Sequence, residues 1–80
     1  MREHKVLLYR TMTCPWCHKT EEFFNEHRIK FTSVWVDKDH KAAQEMIKKS
    51  GQMGVPVIDI DGQIIVGYDV DSIKKTLDLK

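Results

Sequence analysis

The sequence predicts an α/β fold, one four-stranded mixed sheet flanked by helices, and three observations support it. Two apolar runs of strand length are each followed by a stretch with helical periodicity, as in successive βα units. Asp61-Gly62 stands between two further apolar runs, a strong short-range hairpin signal. The last part of the chain returns to helical spacing.

Lys5-Val6-Leu7-Leu8-Tyr9 is a mostly apolar run suited to a strand buried on both faces. Pro15 then opens a helix at its first turn, where a missing N–H costs nothing. This helix is expected to reach about Arg28, with Cys17, Thr20, Phe23 and Phe24 inward and Glu21, Glu22, Asn25 and Glu26 towards water. Phe31-Thr32-Ser33-Val34-Trp35-Val36, rich in β-branched and aromatic residues, is the second strand. Asp37 or Asp39 caps the next helix. There Ala42, Ala43, Met46 and Ile47 face inward, Lys41, Lys48 and Lys49 stay outside, and Ser50-Gly51 ends the element. Val55 to Ile60 and Gln63 to Val66 flank the hairpin turn. Val70, Ile73 and Leu77 mark a terminal helix, with Asp69 and Asp71 placed to favour its N-terminus. The order β-α-β-α-β-β-α implies a parallel pair of strands plus antiparallel ones in the same sheet, a thioredoxin-like arrangement.

The 80 residues are read as one domain, 1–80, which buries about 60–65% of its unfolded surface. A 41% hydrophobic and 31% charged composition is that of an ordinary folded domain and argues against disorder. A formal charge of +1 excludes the strongly basic footprint of a nucleic-acid binder. The apolar run near the N-terminus, Val6 to Tyr9, is too short for a secretory signal or a membrane span, so a cytoplasmic location without a membrane partner is expected. In that compartment a close pair of cysteines is more often catalytic or metal-binding than a permanent disulfide.

Both cysteines lie in Thr11-Met12-Thr13-Cys14-Pro15-Trp16-Cys17-His18-Lys19, which admits three readings. Cys-x-x-Cys is a redox dithiol, Cys-x-x-Cys-His attaches a c-type haem, and a cysteine pair can be half of a zinc site. Zinc needs typically four ligands, whereas His18 adjoins Cys17 and His4, His27 and His40 show no paired ligand spacing. Haem attachment matches only Cys14 to His18, usually happens outside the cytoplasm, and would set a large cofactor beside a small core. The dithiol is the best-supported reading, with no resident metal or tightly bound cofactor.

With Pro15 as the first helical residue, Cys14 sits at the helix N-terminus, where unpaired N–H groups and the dipole favour a thiolate. Cys17, one turn on and inward, is suited to resolve a mixed disulfide formed by Cys14. Trp16 is expected near the sulfurs at the surface, a core position being the alternative. Lys19 adds positive potential or is simply solvated. His18 is a candidate for moving a proton or tuning Cys14, and a surface histidine without a role fits equally. In Gly54-Val55-Pro56-Val57 a proline opens a strand that should be central, and a cis Val55–Pro56 bond resolves that conflict. The alternative is a trans proline in the preceding loop.

Cys14-Pro-Trp-Cys17, Val55-Pro56, Asp61-Gly62 and Gly67-Tyr68-Asp69 together resemble a glutaredoxin over nearly the whole chain. The resemblance implies a cis Pro56 packed beside Cys14, with the Val55 backbone pairing with bound substrate. It also implies a groove lined by Trp16, Val55, Pro56, Gly67, Tyr68 and Asp69. Glutathione-dependent members usually carry Cys-Pro-Tyr-Cys, a basic residue three before the first cysteine, Thr-Val-Pro and Gly-Gly. Here Trp16 replaces the tyrosine, Thr11 holds the basic position with Arg10 one earlier, and Gly54 and Val66 replace the threonine and first glycine. Arg10 and Thr11 are therefore the candidate glutathione-binding residues on that side.

NrdH-type redoxins are similar to glutaredoxins but take electrons from thioredoxin reductase and often serve ribonucleotide reductase. Gly67-Tyr68-Asp69-Val70-Asp71 is similar to their Gly-Phe-x-Pro-Asp ending, with Val70 for the proline. The resemblance thus implies a monomeric reductase of protein or glutathione-mixed disulfides, with either donor. A cluster carrier that holds iron–sulfur between two subunits is the alternative within the family, although most such carriers have one active-site cysteine and Pro15 disfavours the cluster.

Overall fold

The structure is a computed structural model and describes residues 4–77. The expected domain limits, 1 and 80, lie outside the described residues. Strands β1 (Val6–Arg10), β2 (Thr32–Trp35), β3 (Val57–Ile60) and β4 (Gln63–Val66) alternate with helices α1 (Pro15–Glu26), α2 (His40–Ser50) and α3 (Val70–Thr76) in the predicted order. The sheet runs β2-β1-β3-β4, with β1 and β2 parallel and the other neighbours antiparallel. This is the thioredoxin-like fold expected from the element order.

Side chains alternate across a strand, and β1 uses the alternation fully. Val6 and Leu8 enter the larger core with Phe23 and Phe24 of α1 and Ile73 of α3. Leu7 and Tyr9 point to the opposite face, against Met46 of α2 and beside Val57. Helices α1 and α3 therefore cover one face and α2 the other.

The element ends follow local chemistry. Cys14 caps α1 and Pro15 is its first residue. The helix stops at Glu26, two residues short of the expected end, because Arg28 turns left-handed at φ 56. Of the two candidate caps for α2, Asp39 serves, its carboxylate accepting from the N–H groups of Lys41 and Ala42. At the other end Gly51, at φ 72, donates to the Ile47 carbonyl at 2.7 Å and supplies the left-handed residue that closes many helices. The first strand lies one residue later than expected, and the second keeps only its middle four residues. Ile47 was expected inward but is 37% exposed, because α2 buries only Ala42 and Met46 fully.

Lys49 corrects a further expectation. It does not simply project into water: its Nζ donates to the buried Asp59 carboxylate at 2.8 Å and to the Tyr9 hydroxyl at 2.9 Å. The other Asp59 oxygen accepts the N–H of Gly62 at 2.8 Å, so one carboxylate ties α2 to the sheet and to the hairpin turn. The bond to Asp59, then that to Tyr9, raises the Lys49 pKa above its ordinary 10.5. A raised lysine pKa gives stability that is full below pH 10.5 and is lost as the pH climbs through the folded-state value. Replacing Lys49 by Met should cost about 1–2 kcal/mol, since the side chain is one-third exposed and the pair is partly screened. Urea unfolding at pH 7, then at steps above pH 10.5, should show the gap to the parent protein closing in alkali.

Candidate active site

Register alone brings three segments to one pole of the sheet. Tyr9 pairs with Val57, and Val57 pairs with Val66. The end of β1, the start of β3 and the end of β4 are therefore neighbours. Each leads into a segment singled out in the sequence: Thr11 to Cys14, Val55-Pro56, and Gly67 to Asp69.

The Val55–Pro56 bond is cis, and Pro56 is buried just ahead of β3. Its carbonyl accepts the N–H of Gly67 at 2.8 Å, which joins the second segment to the third. Gly67 stands at φ 81, a conformation that side chains disfavour, so glycine is required for this turn. Trp16 is 57% exposed, as expected near the cysteines, and its ring lies 6.1 Å from that of Tyr68. The Lys19 ammonium sits 5.6 Å from the Trp16 ring centre. The loop before Cys14 is held from the other side, where the Met12 N–H donates to Asp37 at 3.2 Å. Asp37, weighed in the sequence only as a helix cap, thus positions the cysteine loop.

Cys14 and Cys17 are paired as a disulfide, with Cα atoms 5.1 Å apart. The Cys17 N–H donates to the Cys14 Sγ at 3.1 Å, and the His18 N–H donates to the Cys14 carbonyl at 3.1 Å. Cys14 retains 7% exposure while Cys17 has none. The first sulfur therefore sits at the helix mouth, accepting the Cys17 N–H, and the second is enclosed one turn deeper.

The candidate groove residues are not equally available. Thr11, Val55, Gly67 and Tyr68 are half-buried, Pro56 is buried and Asp69 is exposed. Asp69 caps α3 through the Ser72 hydroxyl at 2.8 Å and the Ser72 N–H at 3.2 Å, and these bonds hold its carboxyl below the ordinary 3.8. Arg10, a candidate glutathione-binding residue in the sequence, lies in the interior of the fold. It is 2% exposed, and its guanidinium donates to Glu21, lies 3.3 Å from His18 Nδ1 and stacks 4.5 Å from the Trp35 ring centre. Glu21, expected to face water, is drawn to Arg10 as its counter-ion. The missed signal was the strand period, because Arg10 shares the inward face of Val6 and Leu8.

Among the described residues no helix is long and apolar enough to cross a membrane. The family profile of glutaredoxin matches residues 6–65. An uncharacterized glutaredoxin-like 8.6 kDa protein in a rubredoxin operon of Clostridium pasteurianum is 47% identical, over 91% of this chain and 97% of its own. Glutaredoxin 3 of Escherichia coli (strain K12) is 38% identical over 80% of this chain and 77% of its own. The crystal structure of a glutaredoxin from Archaeoglobus fulgidus superposes with a TM-score of 0.84 at 29% identity, covering 91% of this chain and 85% of that one. Since the profile spans the helix mouth that carries Cys14 and Cys17, the chain belongs to the glutaredoxin family and is a thiol–disulfide oxidoreductase.

Proposed function

We propose that this single glutaredoxin-like domain reduces disulfides of proteins, or mixed disulfides of glutathione, with Cys14 as the nucleophile and Cys17 as the resolving thiol. The observation that carries this reading is the asymmetry at the helix mouth: Cys14 caps α1 with its sulfur accepting an N–H, and Cys17 is fully enclosed. Positive partial charge at a helix N-terminus favours the thiolate over the thiol, and the thiolate is the attacking species.

The Cys14 thiolate attacks one sulfur of the substrate disulfide, forming a mixed disulfide and releasing the first substrate thiolate, which takes a proton from water. Cys17 then gives up its proton to water and attacks the Cys14 Sγ, breaking the mixed disulfide, so that the second substrate sulfur leaves as a thiolate that takes up a proton and the Cys14–Cys17 disulfide closes. Two electrons have passed to the substrate. The donor must return two electrons to restore the dithiol.

Glutathione is the family's cosubstrate and is one source of those electrons. Thioredoxin reductase, as for NrdH-type redoxins, is the other. Thr11 where a cation is usual, and an Arg10 withdrawn into the fold, support the reductase and a protein target such as ribonucleotide reductase. The relative placed in a rubredoxin operon supports a redox setting, and the reading locates the protein in the cytoplasm. Substrate is taken to lie along Trp16, Val55, Pro56, Gly67, Tyr68 and Asp69.

Cys14→Ser should abolish reduction of a protein disulfide, whereas Cys17→Ser should accumulate a covalent substrate adduct visible by mass spectrometry. Retained turnover by Cys14→Ser would overturn the mechanism. Mixing the oxidised protein with glutathione, and separately with thioredoxin reductase and NADPH, and following tryptophan fluorescence identifies the donor. Faster reduction by the reductase is expected. Gly67→Ala should cost about 1–2 kcal/mol of stability, because alanine is strained at φ 81. It should also raise the apparent KM for substrate in a steady-state assay.

A further inference from the structure

Arg10 occupies an unusual position for a cation. Its guanidinium lies under the first two turns of α1, touching His18 and Glu21, at the end where the helix dipole is already positive. It is almost wholly buried, and its Nε has no hydrogen-bond partner among the described residues. Burial of a charge at the like-signed end of a helix is costly and calls for anions nearby. Glu21 supplies one. The helix mouth supplies a second when Cys14 is reduced: Arg10 Nη2 lies 3.3 Å from the ring Nδ1 of His18, and His18 is one helical turn from Cys14, its N–H making the first intrahelical bond of α1 to the Cys14 carbonyl at 3.1 Å. An arginine has no acceptor, so His18 Nδ1 must accept in this contact. Trp35, whose ring centre lies 4.5 Å from the guanidinium, adds a contact from β2.

We propose that the buried Arg10–Glu21 pair is a positioning and tuning element for the dithiol, with the Arg10 charge favouring reduced Cys14 and the Glu21 charge opposing it. The pair touches neither substrate nor sulfur. It acts through the field it places beneath the helix mouth and through the fixed seat of α1 on β1. The inference rests on the reading of Cys14 as the thiolate-forming cysteine, and it adds the residues that set how readily the disulfide is reduced. A protein whose reduced form is stabilised is the stronger oxidant.

The test measures the equilibrium of the Cys14–Cys17 disulfide in glutathione redox buffers at pH 7 for the parent protein, Arg10→Met, Arg10→Lys and Glu21→Gln. Nearby charges on Lys19, Asp37, Lys38 and Asp69, and the His18 ring, stay in place in every variant. Arg10→Met should lower the constant for reduction about threefold or more, and Glu21→Gln should raise it by a similar factor. Arg10→Lys should restore most of the parent value while melting lower, because it keeps the charge but loses the planar fork. A merely structural pair would shift both single variants in the same direction, and lysine would behave like methionine; either result overturns the proposal. If Arg10→Met fails to fold, Glu21→Gln decides alone, because its carboxylate is 38% exposed and the change is isosteric. No rise in that variant overturns the proposal. A parent protein that exchanges with glutathione buffer, whatever the variants do, leaves the dithiol reading standing, so the two failures are distinguishable.

Discussion

Antiparallel pairing of β1 with β3, in the register that sets Tyr9 against Val57, is the constraint on which the molecule depends. It makes β1 and β3 the two central strands and leaves β2 and β4 at the edges. It also determines which loops meet. A shift of one residue would turn every side chain of β3 to the opposite face, sending Asp59 into the apolar layer of α1 and α3. With the register as it stands, Ile58 and Ile60 fill that layer, and Val57 and Asp59 face α2. The cysteine loop, Val55-Pro56 and Gly67 to Asp69 emerge together as a consequence of pairing, and the bond from the Gly67 N–H to the Pro56 carbonyl then fixes two of them to each other.

Each face of the sheet buries one charge, and the helix covering that face supplies the opposite one. Arg10 meets Glu21 of α1, and Asp59 meets Lys49 of α2. Pairs of this kind add little net stability over apolar packing of the same volume, but removing one partner is expensive because the other is left uncompensated. Their structural effect is to select one seating of each helix on the sheet. Apolar contacts such as Leu8 with Phe24 tolerate small slides, whereas a buried guanidinium facing a carboxylate does not. For α1 that seating also sets where the two sulfurs lie.

Most of the architecture was legible because the local signals agree. Strand-length apolar runs, Pro15 at a helix start, Asp39 before α2, Gly51 after it and Asp61-Gly62 in the hairpin each report on a few adjacent residues, and all point to the same fold. The cysteine pair, the cis bond before Pro56 and the exposure of Trp16 were legible for the same reason. What escaped was pairing across distance. Lys49 and Glu21 have ordinary surface spacing on their helices, and nothing near them in sequence announces Asp59 or Arg10. Ile47 was misplaced because helical periodicity marks a face without saying how wide the covered surface is.

The Arg10–Glu21 contact also bears on how sequences of this kind can diverge. An arginine buried at the positive end of a helix is tolerable only while a carboxylate one turn beyond the second cysteine remains, and that carboxylate has little use once the arginine is gone. The two positions form one unit of variation although a loop and most of two helical turns separate them. Substitutions there are expected to be accepted in pairs, with the first step the harder one. The neighbouring Trp35 gains or loses its reason to be aromatic along with them.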